Sequence, residues 1–208
     1  MSKAFVASLA GIGTAATGGG AYLLSQHFSI FEEKNTVLLK LKNDRYTPLT
    51  SDTSHQTHWN SSLEKYKSSH NDKSSYTEKE LKGLCANLFE KKDSEEGAYN
   101  EARKYCVVPN TISQRLTTLG YQSLKTGDSE DTDKWKKLSS EYKKKGANFK
   151  KLNDLEHSSI NDEGSTGKIL REKCRDVLAK DHWTESYDAL LDSTLDWCTE
   201  EGVSKLGS

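Results

Sequence analysis

The four cysteines are the residues of this chain whose spacing bears most directly on chemistry. None is arranged as C-x-x-C, so zinc and thiol-redox chemistry are both disfavoured. Cys85 and Cys174 lie on apolar helical stripes, while Cys106 and Cys198 follow an aromatic residue in the next segment. Such positions face each other in an antiparallel helical hairpin, which predicts the pairs Cys85–Cys106 and Cys174–Cys198. We expect disulfides if the domain is exported; four reduced, buried thiols are the alternative, and four cysteines permit three connectivities.

Two other patterns resemble known sites without fulfilling their requirements. The segment from Gly164 to Lys168 resembles the end of a phosphate-binding loop, but Asp162 stands where the first glycine belongs. Ile169 also replaces the hydroxyl residue that would hold magnesium. His55 and His58 are close enough to share a metal ion, but no third ligand is evident. The sequence therefore predicts no catalytic residue, no cofactor, no metal site and no enzymatic activity.

Composition and charge narrow the class of partner. The chain has 30 basic and 31 acidic residues and a net charge of −1. Its lysines are interspersed with acidic residues, as in a solvated surface, and this argues against a nucleic-acid partner. Lysine runs at 143–145 and 150–151 leave open an alternative function, a soluble or inward-facing helical interaction module with weak nucleic-acid or protein binding.

The first 31 residues form an apolar segment long enough to hold the chain to a membrane. From Ala4 to Phe31 no residue carries a formal charge, His27 aside. At about 1.5 Å per residue, a helix of this length crosses a hydrocarbon core of about 30 Å. We therefore predict a signal-anchor or transmembrane segment over residues 1–31. A cleaved signal peptide, with its site at Gly19-Gly20-Ala21, and a glycine-rich soluble loop are the alternatives.

The residues that flank and line this segment predict its orientation and its contacts. Lys3 precedes it, whereas Glu32 and Glu33 follow it, and the more positive side of a membrane segment tends to stay in the cytoplasm. This predicts a single-pass protein of the cell membrane with its large domain outside. Small residues recur every four positions, which would let two membrane helices dimerise, although small-residue bias alone gives the same pattern. These residues are Ala7, Gly11, Ala15 and Gly19.

The body of the chain repeats one order of residues. Residues 32–58 are polar, contain a break at Thr47-Pro48, and are predicted to be a linker. After them, three elements occur twice in the same order: a Trp and a Tyr seven residues apart, the pattern Lys-x-Leu-x-x-x-Cys-x-x-φ-φ (φ is apolar), and an aromatic-Cys pair. This order predicts two similar helical-hairpin repeats, at residues 59–127 and 128–208.

Hydrophobic periodicity predicts an all-α fold. Leu81, Leu84, Cys85 and Leu88 form the stripe of an amphipathic helix, and the preceding Thr77-Glu78-Lys79-Glu80 is a capping box. Similar stripes predict helices over about 78–92, 95–107, 111–124, 130–146, 167–180 and 184–200, after an N-terminal helix over about 3–30.

Several of these features together resemble a known group of proteins. They are the Gly/Ala-rich segment Ala10–Leu23, the Trp-x6-Tyr spacing and the sequence Cys106-Val107-Val108-Pro109-x-Thr111-Ile112. The chain resembles, over essentially its whole length, the paralogous families of uncharacterised proteins in haemotrophic mycoplasmas. The resemblance implies a surface-associated protein with a role in host contact or antigenic diversity, and it brings no catalytic residues. We therefore expect a non-enzymatic, membrane-anchored surface protein whose host partner is not identified.

Overall fold

The computed structural model describes residues 35–145, 150–161 and 166–206. Over these ranges the fold is all-α, as predicted, and extended backbone pairs only at three isolated bridges. The helices are α1 Val37–Asn43, α2 Gln56–Ser69, α3 Glu78–Phe89, α4 Glu96–Tyr105, α5 Ile112–Leu119, α6 Thr132–Lys144, α7 Lys168–Leu178, α8 Tyr187–Trp197 and α9 Glu200–Lys205. Short 3₁₀ turns lie at Thr53–His55, Asn71–Lys73 and His157–Ser159.

The six helices predicted in the body of the chain correspond to α3–α8, but the observed helices are shorter. α4 and α8 end early because the residues that follow them pair with distant backbone. Val107 forms a bridge with Pro48, and Thr199 forms one with Ser123. Three helices were not among those predicted, namely α1, α2 and α9, and the N-terminal helix expected over 3–30 lies outside the described residues.

Buried side chains form two hydrophobic cores, one in each half of the described chain. We call residues 35–108 the first half and residues 109–206 the second half. The first core contains Val37, Leu41, Tyr46, Leu49, Trp59, Tyr66, Leu81, Cys85, Leu88, Ala102, Tyr105, Cys106 and Val107. The second contains Ile112, Leu116, Leu124, Trp135, Leu138, Tyr142, Leu152, Leu155, Ile160, Leu170, Cys174, Val177, Leu178, Tyr187, Leu190, Trp197 and Cys198.

The segment expected to be a polar linker, residues 32–58, differs from that expectation where it is described. α1 packs into the first core with Val37 and Leu41 fully buried. Its first turn is capped by the Thr36 side chain, which accepts a hydrogen bond from the Leu39 amide. The predicted boundary at 127/128 also differs, because α5 contributes Ile112 to the second core rather than to the first.

The same hydrogen bonds recur in the two halves. In each half, a leucine amide that precedes α2 or α6 donates to the carbonyl of the cysteine that ends the hairpin. The carbonyl of the residue after that leucine accepts from the indole N–H of a tryptophan in α2 or α6. The amide bonds are Leu49 N to Cys106 O (2.8 Å) and Leu124 N to Cys198 O (2.9 Å). The indole bonds are Trp59 Nε1 to Thr50 O (2.8 Å) and Trp135 Nε1 to Lys125 O (2.8 Å). In each half, a short extended segment is therefore hydrogen-bonded to the residue that ends the second helix of the hairpin, α4 or α8.

Capping side chains set the start of several helices. The capping box predicted at Thr77 is present, since Thr77 accepts from the Glu80 amide and Glu80 accepts from the Thr77 amide. Thr111 and Gln114 make the same reciprocal pair at the start of α5. Each box satisfies amides that the first helical turn leaves without a partner.

Gly167, which has no side chain, allows the start of α7 to lie close to α6. Its φ is +65°, and a Cβ atom there would lie 2.5 Å from the carbonyl carbon of Trp135. We expect Gly167→Ala to lower the free energy of unfolding by about 2–4 kcal/mol, from backbone strain and steric overlap. The matched control is Gly83→Ala in α3, where no atom lies within 4 Å; it should raise stability by about 0.5–1 kcal/mol. Equal effects of the two substitutions in urea denaturation would contradict the close packing of Gly167 against Trp135.

Candidate functional site

The structure brings the four cysteines together in the predicted pairs. The sulfur atoms of Cys85 and Cys106 lie at bonding distance, as do those of Cys174 and Cys198, and the Cα atoms of the pairs are 5.5 and 5.6 Å apart. Each pair joins the first helix of a hairpin to the residue that ends the second. Both separations fall in the range that disulfides require, so the predicted proximity within each hairpin is confirmed.

Both cysteine pairs are buried, and two aromatic rings pack together next to the second pair in the sequence. Cys106, Cys174 and Cys198 are fully buried, and Cys85 is nearly so. The Tyr142 ring meets the Trp197 ring edge-on at 4.8 Å, next to Cys198. Solvent-borne thiols therefore cannot reach these sulfurs without opening the core, so the pairs act as structural links rather than as an exchange site.

A groove lies where the two halves meet, between α4 and the turn that joins α7 to α8. It encloses about 610 Å³. Its lining residues are mainly polar and aromatic: Tyr46, Asn100, Arg103, Lys104, His182, Trp183, Thr184, Glu185, Ser186, Tyr187, Asp188 and Ala189. Sequence reasoning did not single out this cluster, because its members come from both halves and share no motif.

Arg103 forms the central ion pair of this groove. Its two terminal nitrogens donate to the two carboxylate oxygens of Asp188 at 2.6 and 2.7 Å. Such a two-pronged bond fixes the orientation of both groups. The guanidinium also holds the pKa of the Asp188 carboxyl below its usual value, so Asp188 is a carboxylate at neutral pH.

Arg115 clamps the end of α1 from the opposite half. Its guanidinium carbon lies 3.7 Å from the centre of the Tyr46 ring, and its terminal nitrogens donate to Arg45 O at 2.8 Å and Asp44 O at 2.6 Å. The Arg115 side chain is thus stacked and hydrogen-bonded at once, at a helix end where carbonyls need donors. In return Arg45 donates to the Leu119 carbonyl at the end of α5, at 2.8 Å.

His182 and Trp183 place two ring N–H groups on the carbonyls at the end of α4. His182 Nε2 donates to Arg103 O at 2.9 Å, and Trp183 Nε1 donates to Lys104 O at 2.9 Å. Burial lowers the pKa of the His182 imidazole, and the nearby Arg103 and Arg115 cations lower it further. His182 is therefore neutral at pH 7 and donates a hydrogen bond from the second half to the first. We call this contact region between the two halves the joint.

The other candidate residues of the sequence do not assemble into a site. His55 accepts a hydrogen bond from the Thr50 amide through Nδ1, at 2.9 Å, and its ring centre is 6.2 Å from that of His58. Among the described residues, no group of three His, Cys, Asp or Glu side chains could hold a metal ion. Gly164 and Ser165 of the glycine-rich segment lie outside the described residues. Lys168 is the first residue of α7 and forms an ion pair with Glu172.

The lysine runs that suggested a nucleic-acid surface carry nearby carboxylates. Lys145 pairs with Glu141 at 3.4 Å, and Lys151 pairs with Glu156 at 2.6 Å. Lys150 contacts both Asp192 and Asp196. Partnered lysines present less net positive potential to a phosphate backbone, which disfavours a nucleic-acid interface at this edge.

Comparisons of this chain with protein families, with curated proteins and with solved structures return no match. None of the helices in the described ranges has both the length and the apolar character to cross a membrane. The segment predicted as the anchor, residues 1–31, is outside those ranges.

Removing one disulfide should loosen one hairpin far more than the other. We expect Cys85→Ala with Cys106→Ala to lower the free energy of unfolding by about 3 kcal/mol, the cost of opening a ring of this size. Hydrogen exchange should accelerate in α3 and α4 and change little in α7 and α8. The matched control, Cys174→Ala with Cys198→Ala, should give the reverse pattern. Equal acceleration in both hairpins would show that the halves do not hold separate cores.

Acidification should weaken the fold through His182. Because the folded-state pKa of His182 is lowered, the unfolded chain takes up a proton more readily, and stability present above about pH 6.5 declines below it. The facing charges are Arg103, Arg115 and Asp181, and the cations outnumber the carboxylate. The loss cannot exceed about 1.4 kcal/mol per pH unit for one proton.

Urea denaturation between pH 7 and 5 measures this effect. His182→Gln keeps a donor for Arg103 O and should flatten the pH dependence. The Asp188 carboxyl also contributes a loss, but only as pH falls below about 3.8. An unaltered slope in His182→Gln would assign the titration to another group.

Proposed function

We propose that this chain is a non-enzymatic, membrane-anchored surface protein whose helical domain acts by binding or by display to a host. One observation carries the proposal: all four cysteines are buried at disulfide distance in two pairs. Disulfides persist in oxidising compartments and are rare in the cytosol. A chain that commits every cysteine to such pairs is suited to life outside the cytoplasm.

The N-terminal segment supports the same location. Residues 4–31 carry no formal charge apart from His27, and Lys3 precedes them while acidic residues follow. A membrane helix in this segment, with the N-terminus inside, would place the disulfide-bearing domain outside. The resemblance to surface-associated proteins of haemotrophic mycoplasmas agrees with this arrangement.

We also propose that the two halves are copies of one unit. The supporting residues have the same spacing in both halves. With them, the two copies begin near residues 36 and 111 rather than at the predicted positions 59 and 128. The supporting residues are Thr36, Val37, Leu41, Tyr46 and Leu49 in the first half, and Thr111, Ile112, Leu116, Tyr121 and Leu124 in the second. The recurring amide and indole bonds support this assignment, as does the cysteine pair in each hairpin.

The charged groups at the joint favour a binding role over a catalytic one. Arg103 and Asp188 form an ion pair with each other. Arg115 donates to two carbonyls and stacks on the Tyr46 ring, and His182 donates to a carbonyl. Groups that fix the geometry of a joint in this way are not poised to transfer protons to a substrate.

Protease treatment of intact cells tests the location. The described domain should be removed together with a known surface protein, while a known cytoplasmic protein stays whole. Protection of the domain while the surface protein is removed would overturn the proposal.

Mass mapping of the native protein without reductant tests the chemistry on which the proposal depends. Linked peptides should join Cys85 to Cys106 and Cys174 to Cys198. Four free thiols in protein taken from the cell surface would leave the proposal without its main support.

A further inference from the structure

The end of α1 in the first half is a site built for an arginine. The chain leaves α1 through Arg45 in a left-handed conformation, and the Tyr46 amide then binds the Leu41 carbonyl at 2.8 Å. This turn sets the Tyr46 ring beside the Asp44 and Arg45 carbonyls. Arg115 fills the site by stacking on the ring and donating to both oxygens. Tyr46 is consequently only 8% exposed.

The end of α5 in the second half has the same turn and the same ring. Gly120 takes the left-handed conformation, and the Tyr121 amide binds the Leu116 carbonyl at 2.9 Å. Tyr121 follows Gly120 at this turn as Tyr46 follows Arg45, directly after the Leu119 and Gly120 carbonyls in the chain. Its ring has no stacked cation among the described residues, and it is 37% exposed, more than any other large apolar side chain described.

The surface around Tyr121 suits a cationic and partly apolar occupant. A shallow cavity of about 290 Å³ adjoins the ring, and it is lined by Leu116, Leu119, Leu191 and Leu195. The Asp188 and Asp192 carboxylates stand at its edge, with side chains 60% and 61% exposed. Each forms one ion pair with a basic residue of this chain, but both remain open to solvent and favour an approaching cation.

We propose that Tyr121, with the Leu119 and Gly120 carbonyls, is a docking site for an arginine side chain of a partner protein. The arginine would stack on the Tyr121 ring and donate to the two carbonyls, as Arg115 does at Tyr46. An adjacent apolar residue of the partner would enter the Leu119–Leu191–Leu195 cavity. The inference rests on the proposed duplication, because the second half then exposes the tyrosine ring that the first half uses to hold its neighbour, while its Leu119 and Thr118 carbonyls accept from Arg45.

The geometry selects arginine over lysine. A guanidinium is planar, stacks on an aromatic face and reaches two acceptors at once, whereas an ammonium ion is a compact, strongly hydrated charge. The Leu119 carbonyl already accepts from Arg45, but a carbonyl oxygen has two lone pairs and can take a second donor. The preferred partner is therefore a protein segment that places an arginine beside a leucine-sized apolar side chain.

A peptide with the sequence of residues 110–120 is a suitable probe, because this segment supplies the arginine at Tyr46. The isotope-labelled full chain, in detergent, would be titrated with the peptide while amide resonances are followed. We expect saturable shifts confined to Leu119, Gly120, Tyr121, Leu191 and Leu195, with a dissociation constant of about 1 mM. Arginine-to-lysine replacement in the peptide should weaken binding roughly 5- to 10-fold, and arginine-to-glutamine replacement should abolish it.

Three variants of the full chain make the test specific. Tyr121→Phe keeps the ring and should bind normally, whereas Tyr121→Ala should lose the shifts at Gly120. Leu206→Ala is the matched control, since Leu206 is exposed to a similar degree at a different surface; it should leave binding unchanged. No shifts at about 10 mM peptide, equal shifts with the glutamine peptide, or normal binding by Tyr121→Ala would each overturn the inference. Such a result would leave the cell-surface assignment untouched, because the titration does not depend on the compartment.

Discussion

The covalent link between neighbouring helices is the constraint on which each half of this protein depends. Only 33% of the residues are hydrophobic, and the apolar material is divided between two cores rather than concentrated in one. A core of that size stabilises a domain weakly against the chain entropy lost on folding. In each hairpin the link lies at the far end of the second helix, where it also holds the carbonyl that receives the extended segment. The disulfide and the extended segment therefore act on the same point of each core.

Arginine has a different distribution from lysine in this chain, and the joint between the halves explains it. The five arginines are Arg45, Arg103, Arg115, Arg171 and Arg175. Three of them bridge the halves, and Arg171 binds both the carbonyl and the carboxylate of Asp128. Many of the lysines instead form exposed ion pairs, each of which contributes little to stability. The chain thus places arginine where a planar, multiply bonding group is required and lysine where charge alone suffices.

The sequence predicted the helices whose signals are local. The Thr77 capping box and the stripe through Leu88 define α3, and the repeated cysteine placement predicted both pairs. It did not predict α1, because a short apolar run before the Thr47-Pro48 break has the composition of a linker. The parallel between Tyr46-x-x-Leu49 and Tyr121-x-x-Leu124 was the signal that could have found it. The contacts between the two halves could not be predicted for another reason. Most of their hydrogen-bond acceptors are main-chain carbonyls, which every residue has and which no sequence pattern identifies.

The position of the two disulfides in the chain determines what a protease cut in either hairpin would do to the molecule. Each bond closes a ring that contains the turn of its hairpin, from Cys85 to Cys106 and from Cys174 to Cys198. A single cut in either turn would leave two fragments covalently joined, with both helices still held against the core. Residues such as Lys91 and Glu185 in these turns could also vary in sequence without releasing the hairpin, since the ring closure does not pass through their side chains. A nicked or diversified molecule would therefore keep its shape and reveal the cut only after reduction.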